Sequence, residues 1–272
     1  MTEPELGCCV YCVVQGGERP SFEGLEGVDP RFGVDAVTYG GLTALVSRVR
    51  LDEFGAEALK RHLEDLEWLE RAARAHDAVL ARALDCDAVV PLRLCTIFTD
   101  EAHVREMIER ERELLLDALG RLRGRSEWSV KVLADPRGLE AAAREHSPAL
   151  AATSAETEGA SPGRSFFARK QLDRALRDEA RALAEAAAEE VHIRLEQAAA
   201  GAKLLPPQHP DLSGRSGSMV LNGAYLVERS RAEQFAAIVG ELHERHRRMG
   251  LAVELSGPWA PYNFVTPPEA QP

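Results

Sequence analysis

The chain has 272 residues, 45% hydrophobic and 28% charged, with a formal net charge of −11. That balance supports a sizeable core, excludes wholesale disorder, and leaves no basic run to attract a polyphosphate backbone. No stretch approaches the roughly 20 consecutive apolar residues that cross a bilayer, and Glu3 and Glu5 without a basic flank do not read as a signal peptide. Five cysteines, an odd number, point to reduced thiols in the cytoplasm and not to a secreted disulfide framework.

In chain order, Cys8 to Val14 form an apolar, β-rich run between glycines and predict a buried strand. Ala36–Tyr39 and Leu42–Val49 flank Gly40-Gly41, a two-residue hairpin signal, so three strands precede the first helix. From Glu53 to about Leu84, Leu59, Leu63, Leu66, Ala73, His76 and Leu80 recur at three- and four-residue steps and predict one long amphipathic helix. Ala88–Phe98 reads as a strand whose Pro91 marks its start or an edge. Thr99 or Asp100 then caps a helix to about Arg123, with Val104, Ile108, Leu115, Leu119 and Leu122 inward.

A second unit opens at Glu127, where Trp128, Val130 and Val132 alternate with polar residues. Asp135-Pro136 starts a helix that fades near Thr153, and residues 154–164 read as a loop. Leu172, Leu176, Ala180, Leu183, Ala187, Val191 and Leu195 give a seam along a helix from Ser165 to Ala200, paired with its predecessor as a hairpin. Residues 201–218 read as a long loop and Met219–Val227 as a strand, in which Asn222-Gly223 turns a hairpin or marks a bulge. Ser230 and Glu233 form a capping box for a helix ended by Gly250, and Leu251, Val253 and Leu255 alternate into a last strand before a proline-rich, disordered tail. The expected architecture is α+β in two domains: residues 1–125, and residues 126–272 carrying the helical hairpin at about 136–200. The order of elements in the second half is close to ferredoxin-like.

Candidate chemistry is sparse. Cys9 and Cys12 form one C-x-x-C without the second ligand pair that zinc requires. His243 and His246 stand at i and i+3, whereas a zinc-protease helix needs i and i+4, so they read as a cationic last turn. Cys95 with His76 as base and Arg93 to depress the thiol is the one arrangement with nucleophilic character, and no third residue orients it. Gly214-Arg-Ser-Gly-Ser fits neither a phosphate loop nor a nucleophile elbow. Trp259, Tyr262 and Phe264 form either an exposed patch or a fold-back over the core. No catalytic, cofactor-binding or metal-binding residue is therefore assigned.

Four segments carry a resemblance: His76-Asp-Ala-Val-Leu80, Pro91-Leu-Arg-Leu-Cys-Thr-Ile-Phe98, Met219-Val-Leu-Asn-Gly-Ala-Tyr-Leu-Val227 and Gly257-Pro-Trp-Ala-Pro-Tyr-Asn-Phe-Val265. With Glu127-Trp-Ser-Val-Lys131 they occur in order along the chain, which resembles the gas vesicle protein F/L family. Cys95 stands where that family usually has glycine, and Ala260 and Asn263 replace its more usual proline and serine. The resemblance implies two α+β domains, the first ferredoxin-like and the second with a helical hairpin. It also implies a non-enzymatic accessory role in gas vesicles, without cofactor. The implied partner is the hydrophobic major shell protein, gas vesicle protein A. The chain would hold that subunit against aggregation or serve as a minor vesicle component, or else couple other accessory proteins.

Overall fold

A computed structural model describes residues 5–17, 22, 24–147, 162–207 and 217–266, with the side chains of 162–165, 167 and 168 left aside. The contacts divide the chain into two compact units, Met1–Glu127 with Pro258–Pro272, and Trp128–Gly257. The first boundary falls two residues from the expected one. The expectation of a single domain over 126–272 differs from this division, because the chain returns to the first unit at Pro258.

In the first unit, β1 (Leu6–Gln15), β2 (Val34–Tyr39), β3 (Leu42–Arg50) and β4 (Val89–Pro91) form a sheet in the order β2-β3-β1-β4, and β5 (Ile97–Phe98) also pairs with β1. All its pairs are antiparallel. Central strand β1 is buried from Gly7 to Val14, as a run of Cys and Val without a polar face requires. Its register with β3 shifts between Val10 and Cys12, a bulge that re-aims Tyr11. Gly40 and Gly41, both at positive φ, close the β2–β3 hairpin. Pro91 ends β4, the last strand on its side of the sheet, where no N–H is needed.

The expected helix over 53–84 is three: α1 (Leu51–Phe54), α2 (Ala56–His62) and α3 (Leu66–Ala83). Gly55 interrupts the first pair, and Asp65 starts α3 by accepting from the Glu67 and Trp68 amides. The stripe accordingly breaks. Leu63 and Leu66 face solvent, while His76, Val79 and Leu80 lie in the core. The following helix likewise divides at Glu111 into α4 (Glu101–Arg110) and α5 (Arg112–Leu122), yet all five expected inward residues are buried. Asp100 caps α4 through the His103 amide.

In the second unit, β6 (Arg125–Ala134) leads to α6 (Pro136–His146), α7 (Pro162–Ala198), β7 (Gly201–Leu204), β8 (Ser218–Glu228), α8 (Ala232–His246) and β9 (Leu251–Trp259). The sheet order is β7-β8-β6-β9. With α6 and α7 taken together as the first crossover, this is the β-α-β-β-α-β succession of a ferredoxin-like unit. The core packs β6, β8 and β9 against Leu139 and Ala143 of α6, the α7 seam, and Phe235, Val239 and Leu242 of α8. Of the loop expected at 154–164, residues 154–161 lie outside the described residues and 162–164 instead open α7; residues 208–216 and the tail from 267 also lie outside them.

Three local expectations change. Residues 201–204, read as loop, pair with β8 as β7, since Leu205 N–H donates to the Asn222 carbonyl and Asn222 Nδ2 donates to that of Pro206. Asn222-Gly223 turns no hairpin, because β8 runs unbroken through it in register with β7. Ser230 does not cap α8. A 3-10 turn at Arg229–Arg231 comes first and puts Arg231, without a side-chain cap bond, at the helix start.

Asp135 caps α6 by accepting from the Arg137 and Gly138 amides. Gly250, at φ 79, donates from its backbone to Arg247 and accepts from Asp135 N–H. A Cβ on Gly250 would stand 2.7 Å from Gly138 Cα. Replacing Gly250 by Ala should therefore cost more than the ~1–2 kcal/mol of a left-handed non-glycine residue alone. Urea unfolding of Gly250→Ala beside the parent chain measures it, and equal midpoints would contradict the packing.

Candidate functional site

The residues with nucleophilic or metal-binding character are consumed by burial. Cys9 and Cys12 are fully buried within β1, and burial pushes both thiols far above the ordinary range. Cys95 is half-buried and its thiol is pushed up to about 11, again by burial. Burial is the cause, and it acts against the lowering by Arg93 that the nucleophile reading of Cys95 would need. Among the described residues no group of three His, Cys, Asp or Glu stands close enough to hold a metal ion.

His76 hydrogen-bonds through Nε2 to the Tyr262 hydroxyl at 2.8 Å, and its ring lies 5.2 Å from that of Tyr11. Tyr11 in turn accepts from the Val28 amide at 2.8 Å and shares a 2.6 Å hydrogen bond with Ser47. These bonds tie the loop before β2, strands β1 and β3, α3 and the C-terminal segment of the first unit together. His76 is thus the hydrogen-bonded core histidine that its place on the apolar stripe suggests, and it makes no bond to Cys95.

His243 and His246 also separate. His243 accepts from the Val253 amide through Nδ1 at 3.2 Å. His246 is buried with Nε2 3.4 Å from the Glu190 carboxylate, and burial lowers its pKa while Glu190 opposes. The expected cationic turn therefore reduces to Arg245, Arg247 and Arg248, with His246 part of the core edge.

The aromatic segment divides in the same way. Ala260 and Phe264 are buried, whereas Trp259 and Tyr262 remain 47% and 40% exposed. Beyond its bond to His76, this segment is held by Asn263, whose backbone and side-chain amides donate to the Glu127 carboxylate at 2.9 and 2.6 Å. Arg121 donates to the Phe264 and Val265 carbonyls at 3.2 and 2.9 Å. Sequence reading could not find these anchors, because their partners lie 136 to 186 residues away.

Among the described residues of the first unit, beside a shallow cleft of about 370 Å³ walled by Arg48, Asp100 and Glu101, two further clefts could receive a ligand. The larger, about 700 Å³, lies between the loop before β2 and α3. Its walls carry Arg31, Glu53, Arg71 and Arg74, with Arg31 bridging Asp29 and Glu53. Covering it with an apolar partner would strip water from those charges. The smaller, about 260 Å³, lies between β4 and α5 and is walled by Val90, Pro91, Leu92, Met107, Leu114, Leu115, Ala118 and Val265. Its charged members are already paired, Arg121 with Asp117 and Glu111 with Arg110. Leu114, 71% exposed, stands at this cleft. The periodic pattern of α5 turns Leu115, Leu119 and Leu122 inward and gives no structural reason for a leucine at 114. That surplus apolar residue is the one signal the sequence offered.

The comparisons with known proteins agree along the whole chain. The family described as gas vesicle synthesis protein GvpL/GvpF matches residues 7–266. Gas vesicle protein L of Streptomyces sp. (strain CB03234) is 39% identical, over 94% of this chain and 91% of that protein. Gas vesicle protein F of the same strain is 28% identical, over 94% and 98%. Crystal structures of gas vesicle protein GvpF from Anabaena sp. PCC7120 and Microcystis aeruginosa superpose with TM-scores of 0.72 and 0.67 at 19% and 17% identity, each over 96% of this chain, which is a likeness of fold.

At Cys95 the backbone has φ 59, the one non-glycine residue at positive φ among those described. Glycine ordinarily lowers stability relative to alanine by about 0.5–1 kcal/mol, but at a left-handed position alanine bears the ~1–2 kcal/mol penalty instead. Cys95→Gly should therefore be more stable than Cys95→Ala, by about 1 kcal/mol in urea unfolding. The usual order, alanine above glycine, would show that the turn relaxes.

Proposed function

Because the chain belongs to the gas vesicle synthesis protein GvpL/GvpF family, we propose that it is a non-enzymatic accessory protein that binds the hydrophobic major shell protein, gas vesicle protein A, and keeps it from aggregating during assembly. A shell subunit with a wholly apolar face cannot remain free in water without clumping. The observation that supports this reading is the β4–α5 cleft, whose walls are apolar, whose charges are internally paired and at which Leu114 is exposed.

Absence of catalysis belongs to the same reading. The Cys95 thiol is raised and not activated, and His76 is committed to Tyr262. No described helix is long and apolar enough to cross a membrane, and the place of action proposed is the gas vesicle and the cytoplasm around it. The coupler reading would use the charged face of α7, but there Arg174, Asp178, Arg181 and Glu185 pair with one another along the helix. Such exposed pairs contribute only tenths of a kcal/mol and remain hydrated, so that reading would show itself as salt-sensitive binding.

Co-expression with gas vesicle protein A followed by affinity capture tests the proposal. Parent chain should retain the shell protein in the soluble fraction. Leu114→Asp should lose most of that capture while its own unfolding midpoint changes by no more than about 0.5 kcal/mol, as an exposed substitution does. Undiminished capture by Leu114→Asp would move the site away from the cleft.

A further inference from the structure

The C-terminal segment 258–266 is a strap on the first unit, and its fastenings are mostly polar. Ala260 and Phe264 sit in the surface of the core, but the specific bonds are those of Tyr262 to His76, Asn263 to Glu127, and the Phe264 and Val265 carbonyls to Arg121. Val265 and Thr266 also wall the β4–α5 cleft. Pro261 is buried beside Ala260 and Phe264, yet a single segment lying on the unit opens at less cost than the sheet, whose central strand is paired on both sides.

We infer that the His76–Tyr262 hydrogen bond is a pH-sensitive clasp, and that mild acidification releases the strap locally from the first unit while the sheet stays folded. The geometry gives the reason. His76 is 2% exposed and is covered by the strap residue that it binds. From β1 it faces Tyr11, from its own helix Asp77, and from the turn after β4 the Leu92 backbone, while Cys12 and Asp77 act on its partner Tyr262. Burial keeps the Tyr262 phenol protonated, and in the neutral tautomer that carries its proton on Nδ1, His76 Nε2 accepts from that O–H.

The sign follows from linkage. Burial lowers the pKa of clasped His76, opposed by Asp77 and by the Leu92 backbone. With the strap away, the imidazole regains water and an ordinary pKa of about 6.5. The clasped form thus binds fewer protons than the open form and is favoured above that pH. Below it, each pH unit raises the opening constant by up to about tenfold, until the clasped imidazole itself protonates. Should the cleft bind the shell protein as proposed above, release would unmake one of its walls, and only that consequence rests on the proposed function.

Amide hydrogen exchange between pH 8 and 5.5, corrected for intrinsic rates, tests the clasp. The Tyr262, Asn263 and Phe264 amides, bonded to the Ala260 carbonyl, Glu127 and the Pro261 carbonyl, report the strap, and those of β1 report the sheet. Strap protection should fall by several-fold to tenfold from pH 6.5 to 5.5 with β1 protection unchanged. In His76→Gln, which keeps a hydrogen-bonding group but does not titrate, that slope should vanish. If His76→Gln fails to fold, an NMR titration of the parent His76 ring should give a midpoint below 6.5. Strap protection independent of pH, an equal slope in His76→Gln, loss of strap and β1 protection together, or a midpoint at or above 6.5 would each overturn the inference.

Discussion

The first unit is organised by the cost of burying β1. A strand of Gly, Cys and Val from residue 7 to 14 has no face for water, so sheet partners and helices must cover both sides of it. The one large polar group in it, the Tyr11 hydroxyl, must then be satisfied from inside, where an unpaired donor or acceptor costs about 1–3 kcal/mol. The bulge at Val10–Cys12 brings Tyr11 to Ser47 and Val28, and its ring meets His76, which reaches on to Tyr262. Loop, sheet, helix and strap are thus specified against one another by hydrogen bonds that tolerate little displacement.

The same constraint explains why the buried cysteines and His76 offer so little reactive chemistry. Groups used to complete a low-dielectric interior are neutral there, and a neutral thiol or a lowered imidazole serves structure better than proton transfer. Surplus features lie instead on the surface between β4 and α5, where apolar residues exceed what the core needs. The proposed binding of a water-averse partner rests on that surface.

Much of this was legible in the sequence, where a local rule governs the outcome. The β2–β3 hairpin followed from Gly40-Gly41, the start of α6 from Asp135-Pro136, the stop after α8 from Gly250, and the inward face of α4 and α5 from their spacing. Periodicity failed where a cap overrode it. Leu63 and Leu66 fit the helical stripe, but Asp65 between them restarts the helix and leaves both in solvent. Strand β7 lacked a pattern of its own, since Gly201–Leu204 becomes a strand only by pairing with β8. The return of residues 258–266 to the first unit depends on bonds across more than a hundred residues, which no local signal encodes. The cleft was visible only as an unexplained Leu114.

The central claim, that this apolar surface shelters a subunit that would otherwise aggregate, is tested most directly by diluting gas vesicle protein A out of denaturant while recording light scattering, with and without this chain, and mapping hydrogen-exchange protection in the soluble mixture. The account predicts suppressed scattering near equimolar ratio, with new protection confined to β4, α5 and the adjoining end of the strap. Scattering that rises as fast in its presence, or protection that falls elsewhere, would contradict it.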